Sequence, residues 1–581
     1  MSDRDPRVKE SSIDNILPAE PDEVTEAAPP IERRATPRTT AKAFERNRGA
    51  AVLVASGILL SRLAGLVRQT MMARYLGAGM AADAFNAAFR IPNMLQNLFG
   101  EGVLSASFIP EYAGLLGKGD EEEATRLAGA VAGMLALVAS IIVALGVITA
   151  PWLVAIIANG FTGEKRDLTV FLTRILFPGA GLLVFSAWCL GILNSHRRFF
   201  MSYAAPVVWN LAMIATLILF HKGRTEIQLS IDLAWGSVIG SALMFAIQLP
   251  QVIALAKGVR PRLTAAAESI RNVFRNFVPA FVGRGVVQIS AYVDAWLASY
   301  LGNGAVASFA YAQTIYVLPI SLFGMAISAA ELPAMSRAVG TTAEIGAYLR
   351  VRLSDGLNRI AYFIIPCVVA FLALGDLIVL VLFQSGRFHR GDTIWVWQIL
   401  IGSTVGLLAS TMGRLYSSTF YALRDTRTPL RYAVIRVVLT TALGYMFALV
   451  VPPLLGLDRK LGAAGLTASA GLAGWVEFLL LRRTLDRRIG RTRLPGSRIG
   501  RLWIAAISGA VLPWIYKLAI DRSSPMLGVH ENAVHSKFVA LGLLALYGVT
   551  YLALTAAFRI PEAATVMNRA RRVLRLRRGR A

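Results

Sequence analysis

The stretch from Asp83 to Glu101, DAFNAAFRIPNMLQNLFGE, is too apolar for a surface helix and too polar for an ordinary membrane helix. At 100° per residue its polar side chains fall within roughly 80° of one another on a helix. These residues are Asp83, Asn86, Arg90, Asn93, Asn97 and Glu101. A charge at the centre of a membrane helix costs about 2.5 to 3.5 kcal/mol on insertion scales, so the stripe is expected to face a polar cavity. The alternative is a polar side satisfied by neighbouring helices.

The composition of the whole chain is that of a polytopic membrane protein. Of its 581 residues 55% are hydrophobic and only 16% are charged, and about fourteen apolar segments are long enough to span a bilayer. The formal charge of +25 comes largely from arginines at the ends of these segments, which indicates topology signals and no nucleic-acid partner. Cys189 and Cys367 both lie in apolar runs, so neither a disulfide framework nor a thiolate metal site is expected.

The charge of the loops predicts the arrangement of the chain in the membrane. Residues 1–48 are polar and end in a basic stretch, so we expect a disordered cytoplasmic tail. Basic loops alternate with loops that carry little charge, which predicts that both termini are cytoplasmic. The predicted domains are an N-lobe of six helices at 49–256, a C-lobe of six helices at 257–482, and two further helices with a basic tail at 483–581.

An internal repeat supports the two lobes. YLGAG at 75–79 recurs as YLGNG at 300–304, and SASFIP at 105–110 recurs as SAAELP at 328–333. The second copy follows the first by about 225 residues in both cases, which corresponds to six helices and gives both copies the same orientation in the membrane. We therefore predict two pseudo-symmetric lobes around a central cavity.

Charged residues within the first two helices are candidates for binding an anion in this cavity. Arg62 lies near the middle of the first predicted helix, at 51–76, and Arg68 lies six residues further along. Arginine stays charged at any depth and its planar fork matches phosphate oxygens. The alternatives are pairing with a carboxylate for Arg62, snorkelling to the membrane surface for Arg68, and a helix N-cap for Asp83.

The C-lobe offers a different set of polar residues. The predicted helix at 275–301 carries Arg284 and Asp294, and the predicted helix at 304–330 carries Gln313 and Thr314 at mid-span. Arg284 either binds an anion or pairs with a carboxylate on another helix, since ten residues separate it from Asp294 by about 15 Å on one helix. Gln313 is expected to line the cavity, and Asp294 is a candidate cation site.

Catalytic motifs are missing from the sequence. There is no GxxxxGK[ST] phosphate loop, and the histidines have no strong metal-binding spacing. A duplicated membrane chain with a polar cavity and no nucleotide site is predicted to be a carrier, not an enzyme, with no cofactor and no metal. Because arginines dominate the predicted cavity, its substrate is expected to be anionic.

Several motifs together resemble one known family. They are SRLAGLVR at 61–68, GAGMAADAFNAAFRIPN at 77–93, FGEG at 99–102, RILFP at 174–178, GILNSHRRF at 191–199 and LRDTRTP at 423–429. The chain resembles the MurJ (MviN) family of lipid II flippases over about residues 50–560. This family belongs to the MOP superfamily, with the MATE exporters and the oligosaccharide-lipid flippases.

The resemblance implies a function in peptidoglycan synthesis and cell shape. A protein of this kind would move an undecaprenyl-diphosphate-linked precursor from the inner to the outer leaflet of the bacterial cytoplasmic membrane by alternating access. It implies functional roles for Arg62, Arg68 and Asp83 and basic positions at Arg90 and Arg414. Glu101, at the end of the polar stripe, is also expected to contact the substrate. Cell-wall synthesis proteins are the implied partners, and the membrane potential or a monovalent cation is the implied energy source.

The chain departs from the family pattern at several positions. Gln96 and Asn97 stand where arginines are usual, Gln69 replaces an acidic residue, and Gln313 and Thr314 replace an acidic and basic pair. We expect Arg284 to compensate for a missing cation. These departures leave three alternatives open, namely a flippase for another polyprenyl-diphosphate oligosaccharide, a MATE-like exporter of cations, and a scaffold that transports nothing.

Overall fold

The computed structural model describes residues 57, 59–97, 104–262, four residues between 271 and 277, 292–492, 495–523 and 536–568. In these ranges the chain is helical and contains no β-strand. The predicted tail at 1–48 lies outside the described residues. So do two of the predicted site residues, Glu101 and Arg284.

The helices follow the predicted apolar segments. The N-lobe contains α1 (59–76), α2 (Met80–Asn97), α3 (Ser105–Lys118), α4 (Glu121–Ile157), α5 (Gly163–Ser195), α6 (Phe199–Phe220) and α7 (Glu226–Leu255). The rest of the chain contains α8 (292–299), α9 (Ala305–Ser336), α10 (Thr342–Leu382), α11 (Arg390–Ala422), α12 (Arg427–Leu454), α13 (Gly462–Ile489), α14 (Gly496–Ser523) and α15 (Lys537–Ala557). Within the described part, 10 helices are long and apolar enough to cross a membrane. The predicted all-α polytopic fold is confirmed.

Helix contacts separate the described residues into two lobes and an appendix. Helices α2 and α4 to α7 pack on one another, and helices α9 to α13 form a second group. Helices α14 and α15 pack on α10 of the second group. There the Tyr551 hydroxyl donates to the carbonyl of Tyr362 at 2.7 Å, and Lys517 Nζ lies 2.5 Å from Asp376 Oδ2.

The backbone supports the internal repeat at two pairs of matching residues. Gly77 and Gly302, which match in the YLGxG motifs, have φ values of 64° and 96°. A second pair, Arg197 and Arg424, have φ values of 60° and 59°, although residues other than glycine rarely adopt this conformation. Both arginine N–H groups donate to a carbonyl three residues earlier at 3.0 Å. The chain therefore turns in the same way after α5 in the N-lobe and after α11 in the C-lobe.

The turn at Arg424 is fixed by the next residue, Asp425. Its carboxylate accepts hydrogen bonds from the Thr428 N–H at 3.0 Å and from the Thr428 hydroxyl at 2.7 Å, and it pairs with Arg488 at 2.7 Å. Led by the backbone N–H of Thr428, these contacts lower the pKa of Asp425 to about 2. The LRDTRTP motif thus ties the start of α12 to the end of α13.

The two lobes meet at one end through Asp83, which is fully buried. Lys165 Nζ on α5 lies 2.6 Å from Asp83 Oδ2. The same carboxylate accepts hydrogen bonds from the backbone N–H groups of Gly304 at 2.7 Å and Ala307 at 2.8 Å. Since these groups open α9, Asp83 caps a helix of the opposite lobe and satisfies donors that have no partner within that helix.

Loops around Asp83 complete what we call the closed end, formed by residues 74–79, 160–165, 299–307 and 386–387. The Tyr311 hydroxyl donates to the Gly77 carbonyl at 2.8 Å, and the Arg387 N–H donates to the Arg74 carbonyl at 2.9 Å. A Cβ atom at Gly304, which has a φ of 85°, would overlap the carbonyl oxygen of Ala78. The glycine of the repeated motif therefore permits the close approach of the two lobes.

Replacing Asp83 by alanine should destabilise the protein. Lys165 would lose the carboxylate that pairs with it while it stays 8% exposed, and removing one partner of a buried ion pair costs about 3 to 5 kcal/mol. The free energy of unfolding in detergent micelles measures the loss. The double variant Asp83→Ala with Lys165→Met should lose less than the sum of the two single variants. Unchanged stability of Asp83→Ala would contradict this role.

Candidate functional site

A polar cavity of about 320 Å³ lies between α2 and the C-lobe. Its walls come from α2, α8, α9, α11, α12 and α13, so one N-lobe helix faces five elements of the C-lobe. The lining residues include Arg90, Asn93, Tyr292, Asp294, Phe309, Gln313, Tyr316, Ser403, Arg436 and Thr467. Four of them, Arg90, Asn93, Asp294 and Gln313, are positions that the sequence places in the site.

Arg90 joins α2 to the opposite lobe. Its carbonyl accepts a hydrogen bond from the Tyr292 hydroxyl at 3.2 Å. Its guanidinium lies 5.6 Å from the centre of the Phe309 ring, a distance at which a cation interacts with an aromatic face. The side chain therefore stands in the cavity between α8 and α9.

Arg436 supplies a second cation, from α12 on the C-lobe side. Its Nη1 atom lies 3.2 Å from Glu477 Oε2 on α13. Asp294 interacts electrostatically with both Arg90 and Arg436. The cavity thus holds two guanidinium groups from opposite lobes with Asp294 beside both.

The two guanidinium groups affect the candidate cation site at Asp294. Its Oδ1 atom is buried and has no hydrogen-bond partner in the described part of the chain. The two neighbouring guanidinium groups repel any further cation that approaches this carboxylate. Asp294 is thus placed to act as a counter-ion for the two arginines, and its role as a cation site stays a prediction.

Arg68 occupies a separate aromatic site within the N-lobe. Its guanidinium lies 4.8 Å from the Trp209 ring centre and 5.8 Å from that of Phe89. Its Nη1 atom is 3.9 Å from the sulfur of Met213, while Nε is buried without a partner. Among the described residues Arg68 forms no salt bridge with a carboxylate, and binding of an anion by this side chain stays a prediction.

Trp209 on α6 is itself held in place. Its indole N–H donates to the Ser237 carbonyl at 3.1 Å, and its ring stacks on Phe89 at 5.5 Å. A Cβ atom at Gly240 would lie 2.8 Å from the Trp209 ring, so this glycine on α7 makes room for the indole. The stacking surface under Arg68 is therefore built from three helices of the N-lobe.

Arg62 lies on the face of α1 that looks toward the C-lobe. It is exposed, and Gln69 follows it by seven residues, a rotation of about 20° on a helix. Gln69 Nε2 reaches Thr314 Oγ1 on α9 at 3.5 Å. Arg62 is thus placed on the same side of α1, about 10 Å along the axis from this contact.

The predicted polar stripe divides into two parts. Asp83 and Asn86 do not border the cavity: Asp83 is capped and paired, and Asn86 is buried with its amide donating to the Ala82 carbonyl at 2.8 Å. Helix α5 packs along this part of α2 and excludes water from it. Of the stripe side chains that the structure describes, Arg90 and Asn93, further along the helix, face the cavity.

The remaining predicted residues lie apart or outside the described side chains. Arg414 is exposed on α11 and interacts electrostatically with Arg436, Tyr316 and Glu477. Glu101 and Arg284 lie outside the described residues, and the Asn97 side chain is not described. The substrate-binding roles of Arg414, Glu101 and Arg284 and the cavity-lining role of Asn97 stay predictions.

Three residues of the site were missed in the sequence. Arg436 interrupts the apolar run VIRVVL, so a lone charge within a membrane helix was an available signal. Lys165 stands in the charged segment GEKRD, where nothing distinguishes it from its exposed neighbours. Trp209 gave no signal, because its role depends on how closely α6 approaches α2.

A two-lobed membrane fold with a cationic cavity and one sealed end defines a carrier of the alternating-access class. The family model described as "Lipid II flippase MurJ" matches residues 72–523. The chain belongs to this family.

Individual relatives agree with this assignment. The chain is 32% identical over 526 residues to a probable lipid II flippase MurJ of Rhizobium meliloti (strain 1021). The alignment covers 89% of this chain and 94% of the relative. It is 31% identical over 446 residues to the lipid II flippase MurJ of Burkholderia cenocepacia, in an alignment that covers 75% of this chain and 84% of the relative.

Solved structures show the same fold. A lipid II flippase MurJ in an inward closed conformation matches with a TM-score of 0.71 at 23% identity, over 87% of this chain and 98% of the other. An inward-facing MATE family transporter of the MOP superfamily matches with a TM-score of 0.58 at 18% identity, over 75% and 98%. Both matches show that the chain shares the fold of these transporters.

Single cysteines should separate the two halves of the stripe. In a variant that lacks Cys189 and Cys367, cysteines at Asn93 and Gln313 should react with a membrane-impermeant thiol reagent applied opposite the closed end. A cysteine at Asn86 should not react, because that side chain is covered by protein. Labelling in inverted membrane vesicles, followed by a gel shift, measures the difference. Equal labelling at Asn86 and Asn93 would show that the stripe is not divided.

Proposed function

We propose that this protein moves lipid II, or a closely similar polyprenyl-diphosphate glycan, across the bacterial inner membrane. The observation that carries the proposal is the pair Arg90 and Arg436, two guanidinium groups that face one cavity from opposite lobes. Membership of the family described as lipid II flippases supports the same substrate class. The protein would carry this lipid without breaking a bond in it.

The chemistry of a lipid diphosphate matches this cavity. A diphosphate has several anionic oxygens, and arginine binds such oxygens with two parallel N–H groups. The polyprenyl tail remains in lipid, so only the headgroup enters the protein. Because Arg90 and Arg436 belong to different lobes, a bound diphosphate would link the lobes where they must move.

The size of the cavity limits what it accepts in this conformation. A volume of about 320 Å³ is near the lower end of the roughly 300 to 1,000 Å³ usual for ligand pockets. It suits a diphosphate and an adjoining sugar, but not the disaccharide with its peptide. The cavity must therefore widen to admit the complete headgroup.

We infer that the closed end faces outward and that both termini are cytoplasmic. The loops opposite the closed end carry most of the arginines, including Arg197, Arg198 and the stretch from Arg482 to Arg501, and such loops stay in the cytoplasm. The conformation is then one in which the substrate enters from the inner leaflet. Opening to the outside requires rupture of the Asp83 contacts.

The membrane potential is the energy source that we propose. The inside of a bacterial cell is negative, so an anionic headgroup that moves outward gains about 2.3 kcal/mol per charge for each 100 mV. The guanidinium groups beside Asp294 argue against a cation bound at that residue. Cell-wall synthesis proteins as partners stay an expectation from the family resemblance.

A flippase for another lipid-linked oligosaccharide would use the same diphosphate chemistry. Competition between lipid II and other undecaprenyl-diphosphate sugars in a proteoliposome assay distinguishes the two substrates. An exporter of cationic compounds is disfavoured, because the cavity holds two arginines and one carboxylate with an unbonded oxygen.

Arg62→Ala should abolish complementation of a strain depleted of its own lipid II flippase. The exposed guanidinium is proposed to attract the headgroup, so its loss should leave the amount of protein in the membrane unchanged. Arg62→Lys should retain part of the activity, since the charge remains without the planar fork. Arg166→Ala, an exposed arginine at the closed end, is the matched control. Normal growth with Arg62→Ala would refute the assignment.

Trp209→Leu should slow transport in proteoliposomes by about twofold to thirtyfold, the range that a cation over an aromatic face provides. Trp209→Phe should keep most of the rate, because a ring face remains under Arg68. Trp397→Leu is the control, because the Trp397 indole N–H donates to the Phe371 carbonyl on α10, away from Arg68. If Trp209→Leu transports normally, stacking does not position Arg68.

A further inference from the structure

Two basic recesses lie at the end of the molecule opposite the closed end, outside the central cavity. The first, of about 750 Å³, is bordered by the ends of α3, α5 and α7 and the start of α4. The second, of about 700 Å³, lies at the end of α13. Neither contains a residue of the site described above.

A short segment that we call the N-lobe strap, residues 260–262, forms one wall of the first recess. The Arg262 N–H donates to the Gly129 carbonyl on α4 at 3.1 Å. A Cβ atom at Gly129 would overlap the Arg260 carbonyl oxygen, and one at Gly133 would overlap that of Arg262. Two glycines on α4 thus let the strap lie directly on the helix and fix its backbone.

The strap presents positive charge that the described residues do not neutralise. Lys257, Arg260 and Arg262 line the recess and are exposed, and none of them forms an ion pair within the described part of the chain. Arg126, also in the wall, pairs with Glu122. Glu121 is the other acidic lining residue, so the recess carries net positive charge.

The C-lobe carries the counterpart at the same point of the repeat. The sequence RPRL at 260–263 recurs as RTRL at 491–494 after the last helix of that lobe. Gly258 and Gly490, just before the two motifs, have φ values of 80° and 86°. Both lobes therefore end in a basic segment that begins within two residues of a glycine with positive φ.

The second recess also has an anchored backbone and positively charged side chains. Thr492 is anchored because its N–H and hydroxyl donate to Asp486 Oδ1 at 3.0 and 2.8 Å. Arg483 and Arg491 line this recess and make no ion pair among the described residues, while Arg482 pairs with Asp486 at 3.7 Å. Its free cations therefore resemble those at the N-lobe strap.

Both recesses combine these cations with an apolar wall. Leu479, which is 47% exposed, lines the second recess. In the first, Leu116 and Leu255 line the wall, and Ile253 beside it is 53% exposed. On membrane-spanning helices such exposed apolar residues mark the lipid-facing surface, so each recess lies where that surface ends.

We propose that each recess binds the headgroup phosphate of an anionic phospholipid, with the arginines on the phosphate and the apolar wall against the start of the acyl chains. Arginine is suited to phosphate, and basic residues at this depth attract anionic lipids. A free anion would have no use for the apolar wall. The proposal uses surfaces outside the transport cavity and does not depend on the identity of the flipped substrate.

Native mass spectrometry of the intact, delipidated protein tests the proposal during a titration with phosphatidylglycerol. Two tightly bound lipids are expected, and Arg260→Gln with Arg262→Gln should weaken one of them about thirtyfold, if each arginine contributes as basic residues do at anionic membrane surfaces. Arg483→Gln with Arg491→Gln should weaken the other. Gly129→Val keeps every charge but displaces the N-lobe strap, and it should weaken the same lipid as the first pair.

The matched control is Arg166→Gln with Lys222→Gln, which removes two exposed charges at the closed end and should leave both lipids bound. Phosphatidylcholine should not replace phosphatidylglycerol, and inorganic phosphate should not displace it. The proposal is overturned if the strap variants keep both lipids, if the control loses one equally, or if either competitor succeeds. The proposal would also be overturned if the strap variants bound lipid normally but lost a protein partner.

Discussion

The structure depends on the compensation of one buried charge. Asp83 is withdrawn completely from water, which costs several kcal/mol unless the charge is paired and hydrogen-bonded. Lys165 supplies the opposite charge, and the first turn of α9 supplies two N–H groups and the positive end of a helix dipole. Because these groups come from three helices in two lobes, the compensation is complete only while the lobes meet at this end. One carboxylate thereby couples local electrostatics to the global conformation.

The repeat makes the two lobes alike in backbone but not at this charge. Ser308 on α9 stands where Asp83 stands on α2, about 225 residues earlier. It is fully buried, and its hydroxyl oxygen has no partner among the described residues. Ser308 directly follows Ala307, which donates to Asp83, so an acidic residue there would place two carboxylates close together. Like charges in a dry site cannot both ionise without a large cost. The pseudo-symmetric contact therefore tolerates a carboxylate on one side only.

Much of the fold and part of the site could be predicted from the sequence, for physical reasons. Lipid forces every backbone group to bond within its own segment, so apolar runs and their spacing were sufficient to predict the helices. The helical wheel correctly gave one face of α2, but it could not show that α5 covers Asp83 and Asn86 while the cavity begins at Arg90. That boundary depends on Lys165, whose partner is distant in sequence. Likewise, the stacking of Trp209 on Arg68 depends on the close approach that Gly240 permits.

The departures from the family pattern become intelligible when their positions are compared. Gln69 and Thr314 both stand where charged residues are usual, and the structure brings their side chains to 3.5 Å from each other. Loss of one charge alone would leave the other unpaired between the lobes, which is costly in a poorly solvated site, whereas a neutral pair leaves no charge behind. Arg436 on α12 lines the same cavity as Gln313 and provides a cation there from another helix, whereas the compensation expected from Arg284 stays a prediction. An anionic headgroup requires positive charge in the cavity, but it does not require that a particular helix supplies this charge. The site can therefore keep its chemistry when the cation comes from another helix.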